Sequence, residues 1–159
     1  MTKYTTEHFL GYIKAFNAKD WDVQHSYYAK DVVLDLPRGD NLPTYRGSEG
    51  IKSHYGPLLD KFTETIVPIE LMIEEDRIFF IMETSFQAKT ETIGPSGFTC
   101  TPGDIIRVTV WAFYKMEGGL MKTITTNQLH GEFIGKRMTL EETIKDSQSR
   151  AARPELILD

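Results

Sequence analysis

Two runs of the chain, Asp104-Ile-Ile-Arg-Val-Thr-Val-Trp-Ala-Phe-Tyr-Lys-Met-Glu117 and Leu120-Met-Lys-Thr-Ile-Thr-Thr-Asn-Gln-Leu-His-Gly-Glu-Phe133, stand on either side of Gly118-Gly119. In the first, Ile106, Val108, Val110, Ala112, Tyr114 and Met116 alternate with more polar residues such as Arg107, Thr109 and Lys115. That is the period-two pattern of a strand with one apolar face. Two such runs joined by a glycine pair predict an antiparallel hairpin. The even residues are expected to face inward. Trp111 and Phe113 then lie on the outer face, where they are too apolar to face water alone and predict a homodimer interface.

Outward from the hairpin, similar runs cover 65–74 and 77–90, parted by Glu75-Asp76, with a Gly/Pro-rich stretch from Gly94 to Gly103 before the hairpin begins. Connections this short predict antiparallel neighbours. Upstream the period changes. Thr5 or Thr6 can cap a helix bearing Phe9, Ile13 and Phe16 on one face, and Asp20 can cap a short second one bearing Trp21, His25 and Tyr28. A strand over 31–36 stops at Pro37-Arg38-Gly39-Asp40, and Ser48 can cap a third helix that Gly56-Pro57 is expected to kink or divide. Helices followed by strands predict an α+β fold, with the helices packed on one face of a curved antiparallel sheet. Residues 1–135 form the expected domain, and 136–159 a C-terminal extension with a short helix over Leu140–Arg150.

The chain has 159 residues, a net charge of −5 and one cysteine. One core of that size folds without staples. Cys100 has no partner for a disulfide, consistent with a cytoplasmic setting. The acidic balance argues against nucleic acid, and no apolar run is long enough for a membrane span. His8, His25 and His54 are scattered without metal-ligand spacing, and the glycines lack phosphate-loop spacing, so neither metal nor cofactor is expected.

Four stretches, Gly11-Tyr-Ile-Lys-Ala-Phe-Asn-Ala-Lys-Asp-Trp-Asp22, Tyr28-Ala-Lys-Asp-Val-Val33, Tyr45-Arg-Gly-Ser-Glu-Gly-Ile51 and Val110-Trp-Ala-Phe-Tyr-Lys-Met-Glu-Gly-Gly-Leu120, resemble the SnoaL-like branch of the nuclear-transport-factor-2-like superfamily. The resemblance covers residues 5–135 and implies a cone-shaped, half-open barrel with an interior ligand pocket. Members include ketosteroid isomerases, scytalone dehydratases, limonene epoxide hydrolases, polyketide cyclases, fungal enzymes that rearrange meroterpenoid or indole-alkaloid rings, and non-catalytic scaffolds. Tyr12 matches the carbonyl-binding tyrosine of the ketosteroid isomerases. Their base falls on Leu36, their second acid near Val110–Ala112, and the late aspartate of the SnoaL cyclases falls within Thr125-Thr-Asn-Gln128. The histidines of the dehydratases and the acid set of the epoxide hydrolases have no counterpart. The remaining pattern is most similar to the fungal rearrangement enzymes.

The expected activity is a cofactor-independent acid/base isomerase or cyclase acting on a hydrophobic polycyclic natural product, by a semipinacol-type or related ring rearrangement. A dehydratase, an epoxide hydrolase or a ligand-binding scaffold is the alternative. Arg38, at the rim after the first strand, can polarise an oxygen that gains negative charge, and inward-facing Tyr114 can donate to it. Glu132 or His130, which share a parity late in the last strand, can move the proton. Tyr12, Tyr28, Tyr55, Met82, Phe86 and Val110 are the expected substrate-contacting wall. Glu83 would be costly to bury alone and is read as outward or paired with Arg107.

Overall fold

The computed structural model describes residues 4–159. Two helices, α1 (Thr6–Asn17) and α2 (Trp21–His25), precede β1 (Tyr28–Asp35), β2 (Thr44–Arg46) and a third helix, α3 (Gly47–Lys61). The long strands β3 (Phe62–Glu74) and β4 (Arg77–Ala88) follow. A two-residue pair, β5 (Thr92–Ile93) and β6 (Thr99–Cys100), leads to β7 (Ile105–Glu117), β8 (Leu120–Gly135) and α4 (Leu140–Gln148).

Thr5 accepts from the His8 amide at 3.1 Å and Asp20 from the Val23 amide at 3.2 Å, so both early helices start where a side-chain oxygen can satisfy a free N–H. α3 differs from expectation at its start: it begins at Gly47 after Arg46, without a side-chain cap. It also runs unbroken through Pro57.

The six long and short strands form one sheet in the order β2-β1-β8-β7-β4-β3. Neighbours joined by short turns are antiparallel, as expected. Gly118 and Gly119, with φ of 60° and 82°, make the tight β7–β8 turn in the left-handed region that a hairpin of this length requires. β1 departs from the expectation of an all-antiparallel sheet, since it runs parallel to β8. α3 and the other strands intervene between them, which gives the chain the length a parallel return needs.

The inner face of the sheet curls around α1 and α3. Phe9, Ile13, Val32, Ile51, Ile78, Phe80, Ala112 and Met121 are fully buried there and form one core. This is the α+β cone, a half-open barrel with helices closing one side. On β7 the even residues Ile106, Val108, Ala112, Tyr114 and Met116 are buried inside, while Trp111 is 45% exposed on the outer face.

The C-terminal residues return to the sheet rather than trailing from it. α4 lies against β3 and β4, and its Ser147 hydroxyl donates to the Glu83 carboxylate at 2.9 Å. Beyond it, the Ala152 amide donates to the Ile69 carbonyl at 2.8 Å, and Leu156, wholly buried, joins the main core. The tail therefore covers the free edge of β3, which would otherwise offer unpaired backbone groups.

Candidate active site

Inside the cone lies a cavity of about 750 Å³. Strand parity determines what faces it. On β3, Phe62, Glu64 and Ile66 share the inner face, and Glu64 lies across from Phe86, Ile66 from Thr84. On the next strand Val108 lies across from Thr84 and Val110 from Met82, and on β8 Gln128 lies across from Val110. All of these line the cavity. Leu36–Gly39 at the exit of β1, His54, Tyr55 and Lys61 of α3, and the loop Ile93–Gly97 complete the wall. The result is a chamber in which apolar side chains alternate with polar ones, among them Arg38, His54, Lys61, Glu64 and Gln128, a lining that can both hold a small molecule and orient it.

The central polar group is Glu64. Its residue is 5% exposed, and its Oε1 is buried with no hydrogen-bond partner. Burial pushes its carboxyl up to about 7, against an opposing pull from the Lys19 ammonium. Water that would stabilise the carboxylate is gone, so the acid keeps its proton to near neutrality. A carboxyl poised there can both release and accept a proton at physiological pH. The Tyr55 phenol is raised well above its ordinary value, first by burial and then by Glu64.

Arg38 stands on a tight turn in which its own amide and carbonyl pair with Asn41 at 2.8 and 2.9 Å. His54 packs between the rings of Tyr45 and Tyr55, with centroids 4.8 and 4.7 Å away. Burial lowers the His54 pKa, and the nearby Arg38 charge lowers it further. The neutral imidazole is thus favoured beside a fixed cation. On the opposite flank, Gln128 hydrogen-bonds Ser96 and ties β8 to the loop over the cavity. Gly131 permits that contact, because a Cβ there would meet the Ser96 hydroxyl at 2.0 Å.

Of the residues singled out from sequence, Arg38, Tyr55, Met82, Phe86 and Val110 line the cavity. Tyr12, Tyr28 and Tyr114 lie in the packed core instead. The Tyr12 and Tyr28 hydroxyls are hydrogen-bonded at 2.9 Å, and Gln24 donates to Tyr28 at 3.0 Å. Tyr114 points inward but packs edge-on against Phe9 at 5.2 Å and is 2% exposed.

Glu132 and His130 stand on the outer face, where strict alternation from Gln128 would have turned them inward. The cause is a bulge. Val110 pairs with Gln128 and Thr109 with His130, so Leu129 is an extra residue and the side chains from His130 to Phe133 change face. Glu132 then accepts from Arg107 at 3.1 Å, and His130 is exposed. Glu83 is also on the outer face, 3.6 Å from Arg107, and its carboxylate takes an Arg150 Nε donor at 2.7 Å. Asp35 accepts from the Thr44 hydroxyl at 2.8 Å and does not line the cavity.

Glu64, His54, Thr84 and Gln128 are among the cavity residues that sequence reasoning missed. A strand begun at Phe62 rather than at 65 would have placed Glu64 two residues from Phe62 and from Ile66, on their face. Among the described residues, no group of three His, Cys, Asp or Glu side chains is arranged to hold a metal ion. No helix among them is long and apolar enough to cross a membrane.

A family model described as a SnoaL-like domain matches residues 9–124. Solved structures share the fold at low sequence identity. One named as a polyketide cyclase from Xanthomonas campestris pv. campestris has a TM-score of 0.64 and 22% identity over 86% of this chain and 91% of its own. A second protein of that name, from Pseudomonas putida KT2440, gives 0.62 and 16% over 87% and 94%. One named as a ketosteroid isomerase from Kribbella flavida gives 0.55 and 13% over 77% and 75%. No curated protein sequence matches the chain.

Proposed function

The chain belongs to the SnoaL-like domain family, and from that premise and the cavity we propose that it is a cofactor-independent acid/base isomerase or cyclase for an apolar small molecule. The observation that carries this reading is the buried carboxyl of Glu64, without a hydrogen-bond partner at Oε1, on the stretch of cavity wall that Phe62, Ile66 and Phe86 make apolar. An unpaired carboxyl inside a protein is costly, and a proton-transfer role accounts for one at that position.

Glu64 takes a proton from carbon or hydroxyl, and the electron pair released moves into the substrate. An oxygen that gains charge is met by the Arg38 guanidinium at the mouth, or by the Thr84 hydroxyl and the Gln128 carboxamide along the wall. The protonated Glu64 then returns the proton elsewhere on the same molecule. Met82, Phe86, Val108 and Val110 hold the carbon skeleton in one conformer.

One proton removed and one delivered is all that a ring rearrangement of the semipinacol type asks of its catalyst. The substrate class in this reading is a polycyclic natural product, of the kind that fungal meroterpenoid and indole-alkaloid rearrangement enzymes accept. On the outer face, Trp111 stacks edge-on with Phe79 at 5.4 Å and is 45% exposed, which supports a second copy covering this patch.

The test is solvent exchange. A panel of enolisable polycyclic ketones is incubated with the protein in D₂O and followed by NMR. The parent chain incorporates deuterium next to a carbonyl, and Glu64→Gln loses at least about 100-fold in rate with no loss of melting temperature. A Glu64→Gln variant that exchanges at the parent rate would refute the assignment.

A further inference from the structure

β3 is the edge of the sheet, so the backbone groups on its free side have no neighbouring strand. At the site they are nonetheless satisfied. The Asn17 carboxamide donates to the Ile66 carbonyl at 2.9 Å and accepts from the Ile66 amide at 2.8 Å, the double contact a paired strand would make. Two residues earlier, Lys19 Nζ donates to the Glu64 carbonyl at 2.6 Å. The two anchors fall on Glu64 and Ile66, two of the three β3 residues that line the cavity.

Lys19 reaches this position at a cost. Its φ is 59°, in the left-handed region just past the end of α1, where glycine is the usual occupant. A lysine there forgoes that relief, so its side chain has to justify the position. The ammonium lies 5.0 Å from the Phe16 ring centroid, partly buried. Burial lowers its own pKa, the Glu64 charge raises it and Lys89 lowers it. Lys89 is itself held, donating to the Leu59 carbonyl at 2.9 Å.

From this geometry we propose that Asn17 and Lys19 are positioning residues for Glu64: they fix the free edge of β3 at and beside it, and the Lys19 ammonium supplies the charge against which its carboxyl works. The inference rests on the role of Glu64 proposed above. Few other charges face that carboxyl. Tyr55 approaches from α3, and Arg38, His54 and Lys61 stand elsewhere on the cavity wall. The facing residues of β4, β7 and β8, which are Thr84, Phe86, Val108, Val110, Thr126 and Gln128, carry none. Lys19 is therefore the cation that sets the balance between burial, which favours the neutral acid, and attraction, which favours the carboxylate.

The experiment reads the carboxyl directly, without substrate. The protein is labelled with ¹³C at the glutamate carboxyl, and the Glu64 signal is identified by its loss in Glu64→Gln. In Lys19→Met the titration midpoint of that signal moves upward by roughly one pH unit, and in Lys19→Arg it stays at the parent value. Lys19→Gln, which keeps a donor for the Glu64 carbonyl but no charge, shifts it in the same direction and carries the test if the Met variant does not fold. In Asn17→Ala the signal broadens or splits as the freed edge samples several positions.

A midpoint unmoved in both neutral variants overturns the role of Lys19. A single, unchanged line in Asn17→Ala overturns that of Asn17. Because titration needs no turnover, an unmoved midpoint and a Glu64→Gln chain with parent exchange rate are separate results, and each strikes a different claim.

Discussion

Arg107 Nη1 donates to the Asp146 carboxylate at 2.6 Å, and this contact ties the centre of the sheet to α4 across its outer face. The same guanidinium meets Glu132 at 3.1 Å and Glu83 at 3.6 Å, and both Arg107 and Glu83 are less than a tenth exposed. Removing Arg107 leaves a buried Glu83 carboxylate with Arg150 as its remaining cationic partner. Arg107→Met is expected to cost about 3 kcal/mol. That corresponds to a fall of roughly 10 °C in melting temperature for a chain of this size. Asp146→Asn, at a half-exposed position, costs about 1 kcal/mol. Equal denaturant midpoints for the parent and Arg107→Met would show that α4 is held by something else.

Leu156 is wholly buried although it lies three residues from the end of the chain. It enters the main core next to a tail that hydrogen-bonds the bulge in β3 at Ile69, while Arg153 meets Glu70 at 2.6 Å. A side chain so placed contributes as a core leucine does. Leu156→Ala is therefore expected to destabilise the protein by about 3 kcal/mol, and Ile157→Ala, at a 46% exposed neighbour, by less than about 1. Urea unfolding of the two variants decides it: equal costs would mean that the tail does not belong to the core.

The architecture was legible because period-two alternation survives wherever both faces of a strand have distinct surroundings. It makes the inner face of β7 readable from Ile106 to Met116 in the sequence itself. The site was less legible for three local reasons. Glu64 lies in the first turnless residues after α3, where helix and strand patterns overlap and a boundary is easily set a few residues late. Leu129 is a bulge, and one extra residue turns His130 and Glu132 to the other side with no mark in composition. Tyr12, Tyr28 and Tyr114 do point inward, yet a cone has both a packed end and an open one, and parity cannot tell depth along its axis.

The two sets of carboxyls therefore make opposite predictions. Glu132 is bound to Arg107 on the outer face, so Glu132→Gln is expected to leave proton exchange within about threefold of the parent and to cost about 1 kcal/mol of stability through the weakened ion pair. His130→Asn, at an exposed position, is expected to change neither. Tyr114→Phe removes a buried hydroxyl from the packed core and is expected to affect melting more than rate. Glu64→Gln should do the reverse, losing exchange while folding normally. Loss of exchange in Glu132→Gln at full stability would move the site to the other face of the sheet.

Glu64 also predicts how stability depends on pH. Its carboxyl titrates near 7 in the folded protein against an ordinary value of 4.5. Between those two values the folded state keeps a proton that the unfolded chain has released, so raising the pH favours unfolding. The contribution is fully present below about pH 4.5 and is lost as the pH rises through about 7. Over that window the loss amounts to about 3 kcal/mol. The carboxyls held below their ordinary value, Asp104 at about 2 and Asp146, act in the opposite sense but only at lower pH. Subtracting the curve of Glu64→Gln from that of the parent cancels them. Urea midpoints measured from pH 5 to 8 should show the parent losing stability relative to Glu64→Gln, which keeps no ionisable group at this position. At pH 8 the variant is expected to be the more stable protein, and parallel curves across the range would mean that the Glu64 carboxyl ionises as freely as in water.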